Sequence, residues 1–243
     1  MLEICCGDIE SVIAAAKGGA DRVELCSALS EGGLTPSIGL IKAAVNIPGI
    51  RVHVLIRPRN GDFLYNDTER DIMISDIEAA RKAGAHGVVI GALTPDGDIN
   101  IDTCSSLINA ADGMDVTFHR AFDVCRNPEE ALETIIKLGC TRILTSGQMP
   151  SAIEGTATLR RLNELASGRI ILLAGAGVSS GNAKDIIIQT GIRELHASAR
   201  STVSSAMRFR NSQVSMGNKD SDEYSRLITD ADIVKQLSEI VHS

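Results

Sequence analysis

Short runs of β-branched residues alternate along the chain with longer amphipathic stretches. Between the runs, apolar residues recur at three- and four-residue spacing, as in 9–17, and glycines such as Gly18 end these helical stretches. Eight such units predict an α/β fold, a closed (β/α)8 TIM barrel, because their even spacing suits closure better than a doubly wound open sheet. The predicted strands are 2–6, 21–26, 51–57, 87–92, 115–120, 141–146, 169–174 and 194–199.

The order of these elements also predicts the domain organisation. No shift in composition divides the chain, so we expect one TIM-barrel domain over residues 1–243. Residues 201–228 are rich in Ser, Asn and Met and lack clear periodicity, which predicts a long loop after the eighth strand. Residues 230–241 are expected to form the closing helix.

Composition narrows the class of function. The net charge of −7 argues against nucleic acid as a partner, since phosphate binding needs a basic surface. No stretch approaches the roughly 18 apolar residues of a membrane span, and no signal peptide is visible. We therefore expect a cytoplasmic protein that binds neither membrane nor nucleic acid, and whose six cysteines are reduced thiols.

Several predicted strands carry charged residues, histidines or cysteines where an ordinary core would place valine. Residues two apart on a strand share a face, so the eighth strand should present one polar row into the barrel. Functional groups of this fold lie at the C-terminal ends of the strands, which predicts a site at that mouth. The inward polar residues are expected to be Glu3, Cys5, Glu24, Cys26, His53, Arg57, His119, Glu194, His196, Ser198 and Arg200.

Two smaller features suggest specific ligands. Cys5 and Cys26 are the last inward residues of adjacent strands, so their sulfurs could come close together and hold a soft monovalent ion such as Cu(I). The turn after the seventh strand contains Gly175 and Gly177, and Ser198 ends the eighth strand. Turns in these positions can hold a phosphate on backbone N–H groups, although the glycines could equally serve only the turn.

The residues of several segments resemble those of a known family, the CutC copper homeostasis proteins. The segments are 18–37 (GGADRVELC through EGGLTPS), 57–65 (RPRNGDFLY), 117–123 (TFHRAFD), 144–147 (LTSG) and 207–211 (MRFRN). The resemblance covers nearly the whole chain in order. It implies a cytoplasmic TIM barrel, commonly a homodimer, linked to copper handling, with Cu(I) binding proposed at the positions of Cys5 and Cys26. Ala176 departs from the more usual triple glycine of the turn after the seventh strand.

Two functional hypotheses follow. The first is a Cu(I)-binding copper homeostasis protein with Cys5 and Cys26 as ligands. The second is an enzyme acting on a small anionic metabolite, phosphorylated or carboxylated, in which Arg57 and Arg200 clamp the anion. Its candidate catalytic residues are Glu24, His119, Asp123 and His196: Glu24 or His119 would move a proton, and Asp123, in the loop after the fifth strand, would orient His119.

Two further interpretations involve no catalysis. The polar groups could form a structural ion-pair network in which Glu3 and Glu24 are neutralised by Arg57, Arg120 or Arg200. The barrel could also be a ligand-binding scaffold that acts through a partner. Convergence of polar groups from five strands favours a functional site over both.

Overall fold

Eight parallel strands close into a barrel in chain order, with β1 hydrogen-bonded to both β2 and β8. The computed structural model describes residues 1–211, 213–214 and 222–243. The predicted (β/α)8 TIM barrel is therefore confirmed. The strands are β1 (Leu2–Cys6), β2 (Arg22–Leu25), β3 (Arg51–Leu55), β4 (Gly87–Ile90), β5 (Asp115–Phe118), β6 (Arg142–Thr145), β7 (Ile171–Ala174) and β8 (Glu194–Ala197).

Helices follow the strands, and most of them start at a residue whose side chain caps the first turn. The Asn66 side chain accepts from the Glu69 amide while the Glu69 side chain accepts from the Asn66 amide, which satisfies two free donors of the helix that begins there. The helices are α1 (Ile9–Lys17), α2 (Ile38–Ala44), α3 (Asp67–Lys82), α4 (Ile101–Ala111), α5 (Pro128–Leu138), α6 (Thr156–Ala166), α7 (Ala183–Thr190) and α8 (Ala231–Val241). In the described part of the chain, no helix combines the length and the apolar character needed to cross a membrane.

The two faces of the barrel strands differ in chemistry. Outward residues such as Leu2, Ile4 and Val23 are fully buried in the main hydrophobic core, which lies between the barrel and its helices. Inward residues alternate with them, so Glu3 and Cys5 point into the barrel. This alternation follows from the period of two along a strand, and it separates an apolar outer layer from a polar interior.

The segment after β8 differs from the prediction. Instead of a loop over the whole of 201–228, its two ends pair as antiparallel strands, β9 (Arg200–Ser204) and β10 (Ser225–Thr229). Each end carries two β-branched residues, Thr202 and Val203 in β9 and Ile228 and Thr229 in β10, which favour strands, although each run is too short to stand out in the sequence. Residues 212 and 215–221 of the predicted loop lie outside the described residues. The expected closing helix over 230–241 corresponds to α8, with Asp230 as its N-cap.

The polar row predicted on the eighth strand is also shorter than expected. The strand β8 ends at Ala197, and Ala199 adopts a φ of 45°. That left-handed residue turns the chain, so Arg200 begins β9 instead of continuing β8.

Candidate functional site

A cavity of about 320 Å³ opens at the C-terminal ends of the strands. Most of the predicted site residues line it, which places side chains from distant parts of the sequence in one volume. These residues are Cys5, Glu24, Arg57, His119, Gly177, His196, Ser198 and Arg200. Glu3, Cys26, Asp123 and Gly175 are not part of the wall. Phe63, Arg120 and Leu144, which were not among the candidate residues, also line the cavity.

Cys5 and Cys26 form a pair of thiols at the cavity floor. Their Sγ atoms are 3.5 Å apart, which is well beyond the roughly 2 Å of a disulfide bond. The register explains this contact, because Cys5 lies opposite Glu24 and Cys26 follows Glu24 by two residues on the same face. Cys5 is exposed to the cavity and Cys26 is fully buried beneath it. A carboxylate oxygen of Glu24 and both sulfurs lie within 4.8 Å of one another.

The surroundings of Cys5 keep it protonated. The hydrogen bond with Cys26, burial and the negative charge of Glu24 raise the pKa of the Cys5 thiol well above its usual value. Burial also raises the pKa of Glu24, although the charge of His196 opposes this shift. The floor of the cavity is therefore a sulfur-rich patch on which Cys5 is a thiol.

A chain of charged groups supports this floor from inside the barrel. The Nδ1 atom of His196 lies 2.7 Å from Oε1 of Glu3, and Arg22 binds the other oxygen of Glu3 through Nε. Burial alone would raise the pKa of Glu3, but Arg22 and His196 together lower it well below its usual value. Burial likewise opposes ionisation of His196, yet Cys5, Glu3 and Glu24 raise its pKa well above 6.5. Glu3 is thus an anion held between two cations.

This arrangement corrects one of the alternatives drawn from the sequence. Glu3 is neutralised by Arg22 and His196, and not by Arg57, Arg120 or Arg200. Arg22 is a residue that the sequence reasoning missed. Its position was nevertheless readable, because it is two residues before Glu24 on one strand and therefore shares the inward face.

Asp123 does not orient His119, so that part of the enzyme hypothesis is wrong. The Asp123 carboxylate instead accepts hydrogen bonds from the Thr145 hydroxyl, the Ser146 amide and the Gln148 amide, and it pairs with Nε of Arg120 at 2.7 Å. These hydrogen bonds show that the Asp123 carboxylate stabilises the turn after β6. The short helical turn that begins at Arg120 carries Asp123 away from the imidazole.

His119 is held by the backbone. Its Nδ1 atom accepts a hydrogen bond from the Ala121 amide, while Nε2 has no partner among the described residues. Burial, helped by the charge of Arg57, lowers the pKa of His119 to about 3. The imidazole is therefore neutral at physiological pH, and its ring packs against Phe63 with centroids 4.9 Å apart.

The two glycines expected to hold a phosphate play different parts. The Gly175 amide donates to the Thr145 carbonyl, and a Cβ there would lie 2.5 Å from the Leu144 side chain. Gly175 is thus required for close packing and has no N–H left for a ligand. Gly177 lines the cavity with a φ of 68°, a conformation that favours glycine.

The fold and the site together define the class: a TIM barrel whose C-terminal mouth holds a cavity with a dithiol floor and arginine-bearing walls. The CutC family model matches residues 1–201. A CutC family protein from Bacteroides thetaiotaomicron is 51% identical over 243 residues, covering 99% of this chain and 98% of the relative.

Two further comparisons agree. A human protein, named copper homeostasis protein cutC homolog, is 48% identical over 99% of this chain and 88% of its own length. The crystal structure of a CutC protein from Streptococcus agalactiae superposes with a TM-score of 0.78 at 36% identity, covering 81% of this chain and 97% of that one. The chain belongs to the CutC family of copper homeostasis proteins.

Proposed function

We propose that this protein binds Cu(I) through the sulfurs of Cys5 and Cys26 as its part in copper homeostasis. The observation that carries the proposal is the 3.5 Å separation of these two sulfurs at the base of an open cavity. An ion entering through the mouth would meet Cys5 first, with the Cys26 sulfur directly beneath it. The human relative is named a copper homeostasis protein, which is consistent with copper binding at Cys5 and Cys26.

The donor set suits a soft ion of low coordination number. Thiolates select Cu(I), Zn²⁺ and iron–sulfur clusters, but structural zinc sites use four ligands in a tetrahedron. Within the described residues, Cys5, Glu24 and Cys26 form the one group of three or more candidate ligands. Glu24 offers a hard oxygen, which Cu(I) has little need for, so the two sulfurs would be the main ligands.

Binding of Cu(I) also requires that the Cys5 thiol lose its proton. The thiolate is the form that ligates a metal, and Cys5 is held as a thiol by its neighbours. Glu24 and His196 both lie beside Cys5 and belong to the same polar wall. His196 is already protonated, so the Glu24 carboxylate is the group that would accept the proton and pass it to the cavity.

A copper titration tests the proposal. We expect one Cu(I) per chain in competition with a chromophoric chelator under anaerobic conditions. Cys5→Ser and Cys26→Ser should each weaken binding by more than the roughly 10–100-fold that loss of an outer-shell partner causes. Cys140→Ser is the matched control, because Cys140 is equally buried but lies outside the cavity. Wild-type affinity in the Cys5→Ser/Cys26→Ser double variant would contradict the proposal.

Location and assembly are parts of the same proposal. A reducing compartment such as the cytoplasm would keep two sulfurs this close as thiols. The homodimer stays a prediction, and light scattering on the purified protein should then give twice the 25.7 kDa of one chain.

A further inference from the structure

We propose that the wall of the cavity above the dithiol floor is a binding site for a small organic anion, whose acid group is held by Arg57 and Arg200. This site is distinct from the sulfur pair, and it does not depend on Cu(I) binding. Its evidence is the charge of the wall, the free hydrogen-bonding atoms within it, and the size and lining of the cavity.

The first observation is an excess of positive charge. Four cationic groups line the cavity: Arg57, Arg120, Arg200 and His196. Arg120 is balanced by Asp123 and His196 by Glu3. Arg57 and Arg200 form no ion pair with any carboxylate in the described part of the chain. Arg57 is buried and Arg200 is half-buried, and a bound anion would compensate these two charges.

The second observation is that buried donors in this wall lack partners. Arg57 is 7% exposed, and its terminal nitrogens donate to the carbonyls of Glu31, Gly33 and Gly61. Its Nε has no partner, and neither has Nε of Arg200 nor Nε2 of His119, among the residues described. Buried polar atoms are nearly always satisfied, so three unsatisfied ones around a single cavity point to a ligand that binds them.

The same contacts make Arg57 a rigid donor. Three carbonyls from two different loops fix its guanidinium before any ligand arrives, and Phe63 packs beside it with the Arg57 Cζ 5.2 Å from the ring centroid. A preorganised cation loses little entropy on binding an anion. Arg200, at the start of β9, also lines the cavity.

The size and lining of the cavity favour an organic anion over a bare inorganic ion. A volume of about 320 Å³ is at the lower end of small-molecule pockets. Apolar side chains form much of the remaining wall: Leu29, Leu55, Phe63, Leu144 and Val178. A carboxylate or phosphate attached to a compact apolar body would satisfy both the arginines and this lining.

Calorimetric titration of the full chain with three probes tests the site. Benzoate carries the charge and the apolar body, benzamide has the same shape without the charge, and inorganic phosphate has the charge alone. We expect saturable binding of benzoate at about 1 mM or below, with weaker binding of phosphate and none of benzamide. If phosphate binds more tightly than benzoate, the site binds anions as proposed but prefers phosphate compounds to carboxylates.

Variants separate this site from its surroundings. Arg200→Gln should weaken benzoate about tenfold or more, because it removes one charge-assisted hydrogen bond. Arg200→Lys should retain most of the affinity. Arg193→Gln is the matched control, since Arg193 is exposed, lies outside the cavity and carries the same charge. Thermal unfolding of each variant shows whether it is folded.

Three outcomes would overturn the proposal: no saturable binding of either anion, equal binding of benzamide, or equal loss in Arg193→Gln and Arg200→Gln. The benzoate titrations contain no copper, so failure of the copper proposal would leave their outcome unchanged.

Discussion

Arg22 is the residue on which the interior of the barrel depends. It is 1% exposed, and it binds Glu3 through Nε and Glu194 through Nη2 at 3.0 Å. Glu3 in turn holds His196, which contacts Cys5. A single buried cation therefore fixes the groups beneath the cavity floor. Its removal would leave two carboxylates buried without their main partner.

Arg22→Met should lower the free energy of unfolding by about 3–5 kcal/mol, the usual effect of breaking a buried ion pair. Urea denaturation followed by circular dichroism measures this value. Arg161→Met is the control, because Arg161 pairs with Glu129 at the surface and such pairs contribute little. Equal stability losses in the two variants would show that Arg22 has no special part in the interior.

At the scale of elements, β4 is adapted to the bulky residues of its neighbours. Gly87 lies opposite His53 of β3 and Asp115 of β5. A Cβ at this position would come within 2.7 Å of the His53 ring and of the Asp115 carbonyl. The strand thus carries glycine where the imidazole fills the barrel, so that large and small residues alternate around one layer.

Gly87→Ala should therefore destabilise the protein by about 1–3 kcal/mol, as overpacking in a core does. Gly39→Ala is the matched substitution in α2, where the new methyl group meets only Ser37 Oγ at 3.9 Å and the site is exposed. There we expect a gain of about 0.5–1 kcal/mol from helix propensity. Chemical denaturation of both variants provides the test, and a neutral Gly87→Ala would mean that the barrel can expand at this layer.

At the scale of the whole molecule, the interior holds two neutral histidines. Burial lowers the pKa of His53 to about 3 and that of His119 to about 3. In the unfolded chain these imidazoles titrate near 6.5, so between these values the unfolded state binds more protons than the folded state. Stability must then rise with pH in this window, and acid must destabilise the fold.

The free energy of unfolding should fall as pH decreases from 6.5 toward 3, with each of these histidines contributing up to about 1.4 kcal/mol per pH unit. His53→Gln removes one titrating group that lies outside the cavity wall. The pH slope of its stability should be smaller by up to one proton. Urea denaturation across this pH range measures both slopes, and identical slopes would show that His53 is not held neutral in the folded state.

Much of the barrel and of its interior could be predicted from local pattern. The inward positions of Glu3, Cys5, Glu24 and Cys26 followed from the two-residue period of a strand. Asp115 and Arg142, which lie 3.4 Å apart inside the barrel, were not among the candidates. Both stand at the N-terminal starts of their strands, whereas the site was expected at the C-terminal ends.

Local sequence was enough to show which residues alternate between apolar and polar, and therefore that the chain forms eight strand–helix units with charged inner faces. Periodicity and caps are properties of neighbouring residues, so they can be read without the fold. Which inner side chains meet depends on the folded barrel. Glu3 and His196 are 193 positions apart, and the Cys5 and Cys26 sulfurs come within 3.5 Å because of the register between β1 and β2. Those contacts depend on the stagger and closure of the barrel, which no local stretch of sequence specifies.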